Sequence, residues 1–304
     1  MLKSFRDVLE ADKEGGTKKL AISSAEKKDI DLLGKAAAAG LVMPCLIGDG
    51  KVMEGMIKGT PLASLEHEIM NEKKPDKALS MAIGLIREGR ADMLMQGAVK
   101  QQMLLDAVMD VKKGLRQGKL ASCVSVFGLP KPEKLIFVTD TFINNRPNLA
   151  EKQLILEHAV RLAGVLEIEA PKIAALAAIE QINLSIPSTL DAAILSKMSE
   201  RRQFGNAIVE GPLDIDCALS KTAAERKGLQ SVVTGDVDIY LAPEIDTGLL
   251  LAEALVFFGK MRTVGAIMGT ANPVILNLPF VREEDRMVEI AIAVLVCKKG
   301  KNDA

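Results

Sequence analysis

The sequence predicts an α/β protein with largely parallel sheets, and three observations carry that expectation. Short apolar runs alternate with amphipathic stretches along the chain. Lys172–Ala178 (KIAALAA) is one continuous apolar run, the mark of a strand covered on both faces. The length, 304 residues, corresponds to two domains at roughly 150 residues each. A chain of that size removes about three-quarters of its extended surface on folding, enough for a substantial core.

Taken in order, Lys18–Ser23 reads as a strand running into a polar turn, and Glu26–Ala39 as a helix closed by Gly40. Leu41–Ile47 is a second apolar run, ended by Gly48, Asp49 and Gly50, and a Lys/Glu-rich stretch follows. Lys77–Glu88 has helical spacing, and Asp92–Met95 is strand-like up to Gly97. In Met103–Gln117 the residues Leu104, Leu105, Val108, Val111 and Leu115 recur at three and four, with Gly118 as a cap. Asn148-x-x-Glu151 signals a capping box ahead of a helix through Val165. Beyond Lys172–Ala178 the pattern gives a helix over Ser188–Glu200 and a strand at Asn206–Val209. A further helix runs from beyond Gly211-Pro212 to Gly228. Val237–Leu241, Val264–Met268 and Pro273–Leu276 read as strands, and Thr247–Phe258 and Arg282–Val296 as helices.

Composition removes several function classes. Lys plus Arg is 39 and Asp plus Glu is 40, so the net charge is −1 and no electrostatic footprint for nucleic acid or an anionic membrane exists. Eight Phe, one Tyr and no Trp leave little on which bases can stack. No apolar run reaches the roughly 18 residues of a membrane helix; Ile290–Cys297 is short and followed by Lys298 and Lys299. The N-terminal MLKSFRDVLEADKEGG has charges where a signal peptide needs its apolar segment. A soluble, cytoplasmic protein without nucleic-acid or membrane partners is expected. Cys45, Cys123, Cys217 and Cys297 lie tens of residues apart, which argues against a disulfide framework. His67 and His158 lack a paired metal spacing, so no metal centre is expected and both read as structural or surface residues.

Three segments together resemble one family. Thr139-Asp140-Thr141-Phe142-Ile143-Asn144-Asn145-Arg146-Pro147 is similar to the T-D-x-x-I-N-x-x-P segment of phosphate acetyltransferases and phosphate butyryltransferases. Val209–Asp216 resembles their V-D-G-P-L-x-x-D, and Gly235–Ile239 with Ala242–Gly248 resembles G-D-A-D-I…V-P-x-I-E-x-G. Asp92–Gly97 and Gly269–Val274 extend the match, which lies nearer the butyryl branch. The resemblance implies two α/β lobes around a cleft, in the architecture of isocitrate and isopropylmalate dehydrogenases. The first domain is expected at 1–120 plus 270–304, with the C-terminal helix returning to it, and the second at 121–269. It also implies transfer of a short acyl group between coenzyme A and inorganic phosphate, with the CoA thioester and phosphate as substrates and no further cofactor. Enzymes of this size commonly form homo-oligomers, most simply a homodimer, and the apolar helix Thr247–Phe258 is a candidate contact.

Such chemistry needs fixed cations or N–H donors for phosphate and an acid near the thiol. Lys100, Arg146 and Arg282 are suited to phosphate. Asp140, Asn144, Asp216, Asp236, Asp238, Asn272 and Asn277 lie in or beside the matched segments, as do Gly97, Gly211, Gly248 and Gly269. Cys123 stands where the family has histidine in an L-S-H-V-A-V-F segment, with Ser125 two residues on. No residue is assigned as catalytic. One departure is large: where the family reads T-S-R-x-D, this chain has Asn277, Leu278, Pro279, Phe280 and Val281. Leucine and proline cannot make charge-assisted bonds to phosphate. Arg282 and Arg286 are the nearest substitutes, or a solvated helix start paired with Glu283, Glu284 and Asp285. A second reading is therefore a diverged, weakly active or non-catalytic paralogue that binds acyl-CoA or acyl phosphate. A third is a metal- and NAD-dependent decarboxylating dehydrogenase.

Overall fold

In the computed structural model, which describes residues 1–11 and 16–299, the chain divides into two units. The first holds Phe5–Ala121 and Val264–Ala304, the second Met1–Ser4 and Ser122–Thr263. The return to the first unit comes at Val264 rather than at 270, because one strand, Arg262–Met268, makes the crossing. Part of the N-terminal stretch read against a signal peptide (12–15) and the last residues assigned to the first domain (300–304) lie outside the described residues.

The first unit opens with α1 (Phe5–Ala11), β1 (Lys18–Ser23), α2 (Lys27–Ala38), β2 (Val42–Gly48), α3 (Gly50–Ile57), β3 (Glu68–Asn71), α4 (Pro75–Arg87), β4 (Met93–Gln96) and α5 (Gln101–Met109). The second unit supplies β5 (Ser122–Pro130), β6 (Glu133–Thr139), α6 (Leu149–Val165), β7 (Lys172–Leu176), α7 (Pro187–Glu200), β8 (Ile208–Leu213), α8 (Ile215–Leu219), α9 (Lys221–Arg226), β9 (Ile239–Leu241) and α10 (Ile245–Phe257). The chain then returns through β10 (Arg262–Met268), β11 (Val274–Ile275) and α11 (Arg286–Lys299).

In the first unit the strand order is β3-β2-β1-β4-β11-β10, parallel except for β10 against β11. Leu20 and Ile22 of β1, Leu46 of β2 and Met93 and Met95 of β4 are buried under Ile30 and Leu33 of α2 and Ile290 and Val294 of α11. In the second unit the order is β5-β6-β9-β7-β8, with β5 antiparallel to β6 and the other pairs parallel. The carboxyl ends of its four parallel strands therefore share one edge.

Several elements differ from the periodicity. The helix expected over Met103–Gln117 stops at Met109, because the Asp110 carboxylate accepts the Lys112 and Lys113 N–H groups and Leu115 N–H turns back to the Val108 carbonyl. The helix expected between Pro212 and Gly228 is two short ones, broken at Ser220, whose hydroxyl caps the second. The expected strand at Asn206–Val209 runs on through Gly211 and Pro212 to Leu213. The final helix starts at Arg286 rather than Arg282, after a 3-10 turn over Glu283–Asp285. The β5–β6 hairpin, α3 and β3 have no counterpart in the sequence reading.

Candidate functional site

At the carboxyl ends of β7 and β9 in the second unit lies a groove of about 980 Å³. Ligands of parallel α/β sheets bind at that end of the strands. The starts of α6, α7, α8 and α10 all border the groove, through Leu149, Pro187, Ile215 and Thr247. Its cations are Arg146 and Lys152, its acids Asp191, Asp214 and Glu244. Lys152 is buried and holds Asp191 at 2.7 Å, whereas Arg146 is 84% exposed and lies 3.7 Å from Glu244. Lys152 follows from helix geometry: it shares the inward stripe of α6 with Ile155, Leu156 and Ala159. The expected capping box holds that helix start, with Asn148 and Glu151 each accepting the other's N–H.

Beside the groove, just beyond β6, Asp140 organises its own turn. Its buried carboxylate accepts N–H groups from Phe142 (2.8 Å), Ile143 (3.0 Å) and Asn144 (3.3 Å) and the Asn144 side-chain amide. Burial raises its pKa, and these donors oppose the rise. Gly248 of α10 meets this turn closely: a Cβ there would stand 2.1 Å from the Asp140 carbonyl oxygen. Cys123 and Ser125 point inside the unit rather than into the groove. Ser125 shares a 2.8 Å hydrogen bond with Thr141, whose hydroxyl also lies 3.5 Å from the Cys123 sulfur.

The other nominated residues of the second unit separate into three places. Gly211 sits within β8, packed against Ala175. Asp216 belongs with Glu180 and Asp214 to a set of acids that all bond the Lys227 ammonium. With Cys217 these acids bring their ligand atoms within 4.8 Å of one another, the only such group among the described residues. Hydrogen bonds from Asp214 and Lys227 hold Glu180 down at about 2, and desolvation with the neighbouring acids pushes the Cys217 thiol up to about 12. Asp236 and Asp238 lie at the amino ends of the strands, away from the groove. Asp238 takes the Lys172 N–H at 2.7 Å, Lys134 bonds both acids, and Lys172 reaches Asp236 at 2.7 Å. They tie three strand starts together.

In the first unit, Gly97 packs against β1, where a Cβ would stand 2.2 Å from the Ser23 carbonyl oxygen. Lys100 is exposed at the start of α5. Gly269 adopts φ +86°, a conformation open to glycine. The Asn272 amide donates to the Asp92 carbonyl at 2.9 Å. Asn277 donates its backbone N–H to Gln96 Oε1 at 2.8 Å and accepts from Arg286 Nη2 at 2.6 Å. Arg282 is exposed beside Glu284. Leu278 and Phe280 are buried, and Leu278 fills the space a side chain at Gly265 would need. Arg286 is not the solvated helix start expected of it. It is buried with Asp285 and Glu289, because α11 turns this face toward the Leu276 carbonyl and Asn277.

Lys152, Asp191, Gln96 and Thr141 escaped the sequence reading, and only Lys152 left a local signal, its place on an apolar stripe.

A family model described as "Phosphate acetyl/butaryl transferase" matches residues 55–294. The phosphate butyryltransferase of Clostridium acetobutylicum is 37% identical over 297 residues, 97% of this chain and 99% of that one. That of Clostridium beijerinckii is 35% identical over 302 residues, covering 99% and 100%. Among solved structures, a branched-chain phosphotransacylase from Enterococcus faecalis V583 superposes with a TM-score of 0.80 at 25% identity, over 92% of this chain and 99% of that chain.

Proposed function

The chain belongs to the phosphate acetyl/butyryltransferase family, and from that premise we propose how it transfers a short acyl group between coenzyme A and inorganic phosphate. The observation that carries this activity is similarity running end to end through both units, at 37% identity to a butyryltransferase. The non-catalytic paralogue and the metal-dependent dehydrogenase are not favoured by these likenesses. Toward acyl phosphate, a phosphate oxygen attacks the thioester carbonyl, the C–S bond breaks and the coenzyme A thiolate takes up a proton. The protein's task is to align two reactants and meet their negative charge with fixed donors. Arg146, within the matched segment of the second unit, is an exposed cation that carries that charge; Lys100 and Arg282, exposed in the first unit beyond its matched segments, are further candidates. The Asp140 turn fixes the backbone between β6 and Arg146.

No metal is required in this reading. It is supported by the acid cluster at Glu180, Asp214 and Asp216, whose carboxylates are already engaged by the Lys227 ammonium. The enzyme is cytoplasmic; no helix among the described residues is long and apolar enough to cross a membrane. It works as a homodimer joined through α10. That helix buries only Gly248, Ala252 and Val256 and leaves Leu250, Phe257 and Phe258 exposed.

The test is thiol release from acetyl-, propionyl- and butyryl-CoA, with and without phosphate and after dialysis against EDTA. Phosphate-dependent release, unchanged by EDTA and fastest with a chain longer than acetyl, is expected. Arg146→Gln lowers it about 10-fold or more. Absence of phosphate-dependent release with all three thioesters overturns the reading. Light scattering that returns one chain mass at micromolar concentration removes the dimer alone.

A further inference from the structure

Arg286 is the most heavily engaged cation in the first unit, although its neighbours Arg282, Glu283 and Glu284 face solvent. Its Nη1 donates to the Leu276 carbonyl at 2.8 Å and lies 2.8 Å from Glu289 Oε2, while Nη2 donates to Asn277 Oδ1 at 2.6 Å. Glu289 accepts the Gly265 N–H at 3.0 Å with its other oxygen, anchoring the pair to β10. From Asn277 the chain of bonds continues. Its backbone N–H reaches Gln96 Oε1 at 2.8 Å, its amide reaches the Gln96 carbonyl at 3.3 Å, and the Gln96 amide reaches the Val99 carbonyl at 2.9 Å. One guanidinium thus links α11, β10, the segment after β11 and the turn after β4. The last bond falls one residue before Lys100.

We propose that Arg286 is a positioning residue of the transferase: through Asn277 and Gln96 it holds the Leu276–Val281 segment and the Gly97–Lys100 turn in one arrangement, which places the cation that meets phosphate. The proposal rests on the phosphate-dependent reading above. Packing alone does not demand a guanidinium here, since a buried ion pair is often replaced by apolar side chains without loss of stability. What apolar groups cannot do is donate in two directions from one plane, to a backbone carbonyl and a side-chain amide at once. Lysine keeps the charge and loses that fork. Arg286 itself has no part in the bond-making step; its donors are spent on the protein.

The experiment compares full-length wild type, Arg286→Lys and the pair Arg286→Met with Glu289→Leu. The measurements are phosphate-dependent CoA release, thermal unfolding and residue-resolved amide exchange. The expected result is a double variant that melts close to wild type but whose phosphate KM rises about 10-fold or more, with the acyl-CoA KM unchanged. Arg286→Lys falls between the two. Exchange at Asn277 and across Gly97–Gln101 accelerates at least 10-fold, with β1 and β2 unaffected. A double variant with wild-type phosphate KM and wild-type exchange at Asn277 shows a purely structural pair and overturns the proposal. Wild type without phosphate-dependent release overturns the functional reading instead. In that case accelerated exchange confined to the two segments upholds the positioning network, and unchanged exchange removes it as well.

Discussion

Asp140 in the second unit and Arg286 in the first are both buried charges beside segments that match the family, and they are satisfied in opposite ways. Asp140 draws four donors from residues 142–144, besides a backbone bond with Cys123. Arg286 reaches Leu276, Asn277 and Glu289, partners on the far side of a turn and on the next turn of its helix. The first is a device written mostly into five consecutive residues. The second depends on several elements already being in place. The segment with mostly local bonding is the one that resembles the T-D-x-x-I-N pattern; the one with distant bonding is where Leu278 and Pro279 stand.

The comparison breaks most easily at the two charges themselves. Asp140→Ala leaves four donors without their acceptor and is expected to cost about 4 kcal/mol or more, at about 1–3 kcal/mol per buried orphan. Arg286→Met leaves Glu289 buried and unpaired, at about 3–5 kcal/mol. Glu289→Leu added to it removes the unpaired charge and recovers part of that loss, with the Leu276 carbonyl and Gly265 N–H left to find other partners. A second substitution rescues less of Asp140→Ala, because three of its four partners at 142–144 are backbone N–H groups. Urea unfolding of the three variants checks both statements, and the larger recovery in the first unit is the expected signature.

A next test uses pH. His158 is held down at about 4 by burial and by Arg161, against an ordinary value of 6.5, so the folded second unit prefers it neutral. A depressed pKa gives stability that is complete above 6.5 and is lost as pH falls toward 4, worth about 3 kcal/mol at the acid end. Burial raises Glu289 to about 7 against its ordinary 4.5, with Arg286 opposing, so its contribution is complete below 4.5 and is lost as pH rises through 7. The second unit therefore loosens toward acid and the first toward neutral pH and above. Amide exchange between pH 4 and 8, with His158→Asn and Glu289→Gln as controls, separates the two slopes. Slopes of the same sign in both units would refute the assignment.

The smallest effects belong to the exposed cations. Arg146→Gln and Arg282→Gln change unfolding by less than about 1 kcal/mol, since solvent-facing pairs contribute little. Their consequence is kinetic, and equal losses of stability and rate would mean that they are structural.

Most of the strand and helix order was legible because it rests on short-range periodicity, and the box at Asn148 and Glu151 was legible because a cap is four residues long. Asp140 was nominated from its segment, but its turn-forming was not legible, because most of its donors are backbone groups that no side-chain pattern marks. Asp236 and Asp238 lay in a matched segment, yet strand direction put them at the amino edge with Lys134 and Lys172. Met103–Gln117 kept a helical repeat past Met109 that the Asp110 carboxylate overrode. In Arg282–Arg286 a run of five charges looked like a solvated surface. Which of them turn inward is decided by Leu276, Asn277 and Glu289, and nothing in the run itself distinguishes Arg282 from Arg286.

The contact between Leu278 and Gly265 bears on how such a chain can change over generations. A Cβ at 265 would stand 2.1 Å from Leu278 Cδ1, the far end of a flexible side chain, so a larger residue there requires the leucine to turn aside. Exchanging Leu278 for a small polar residue alone opens a void, and enlarging Gly265 alone creates a collision. The size of residue 265 and the rotamer of Leu278 are therefore coupled, and a change at either position is felt first at the other.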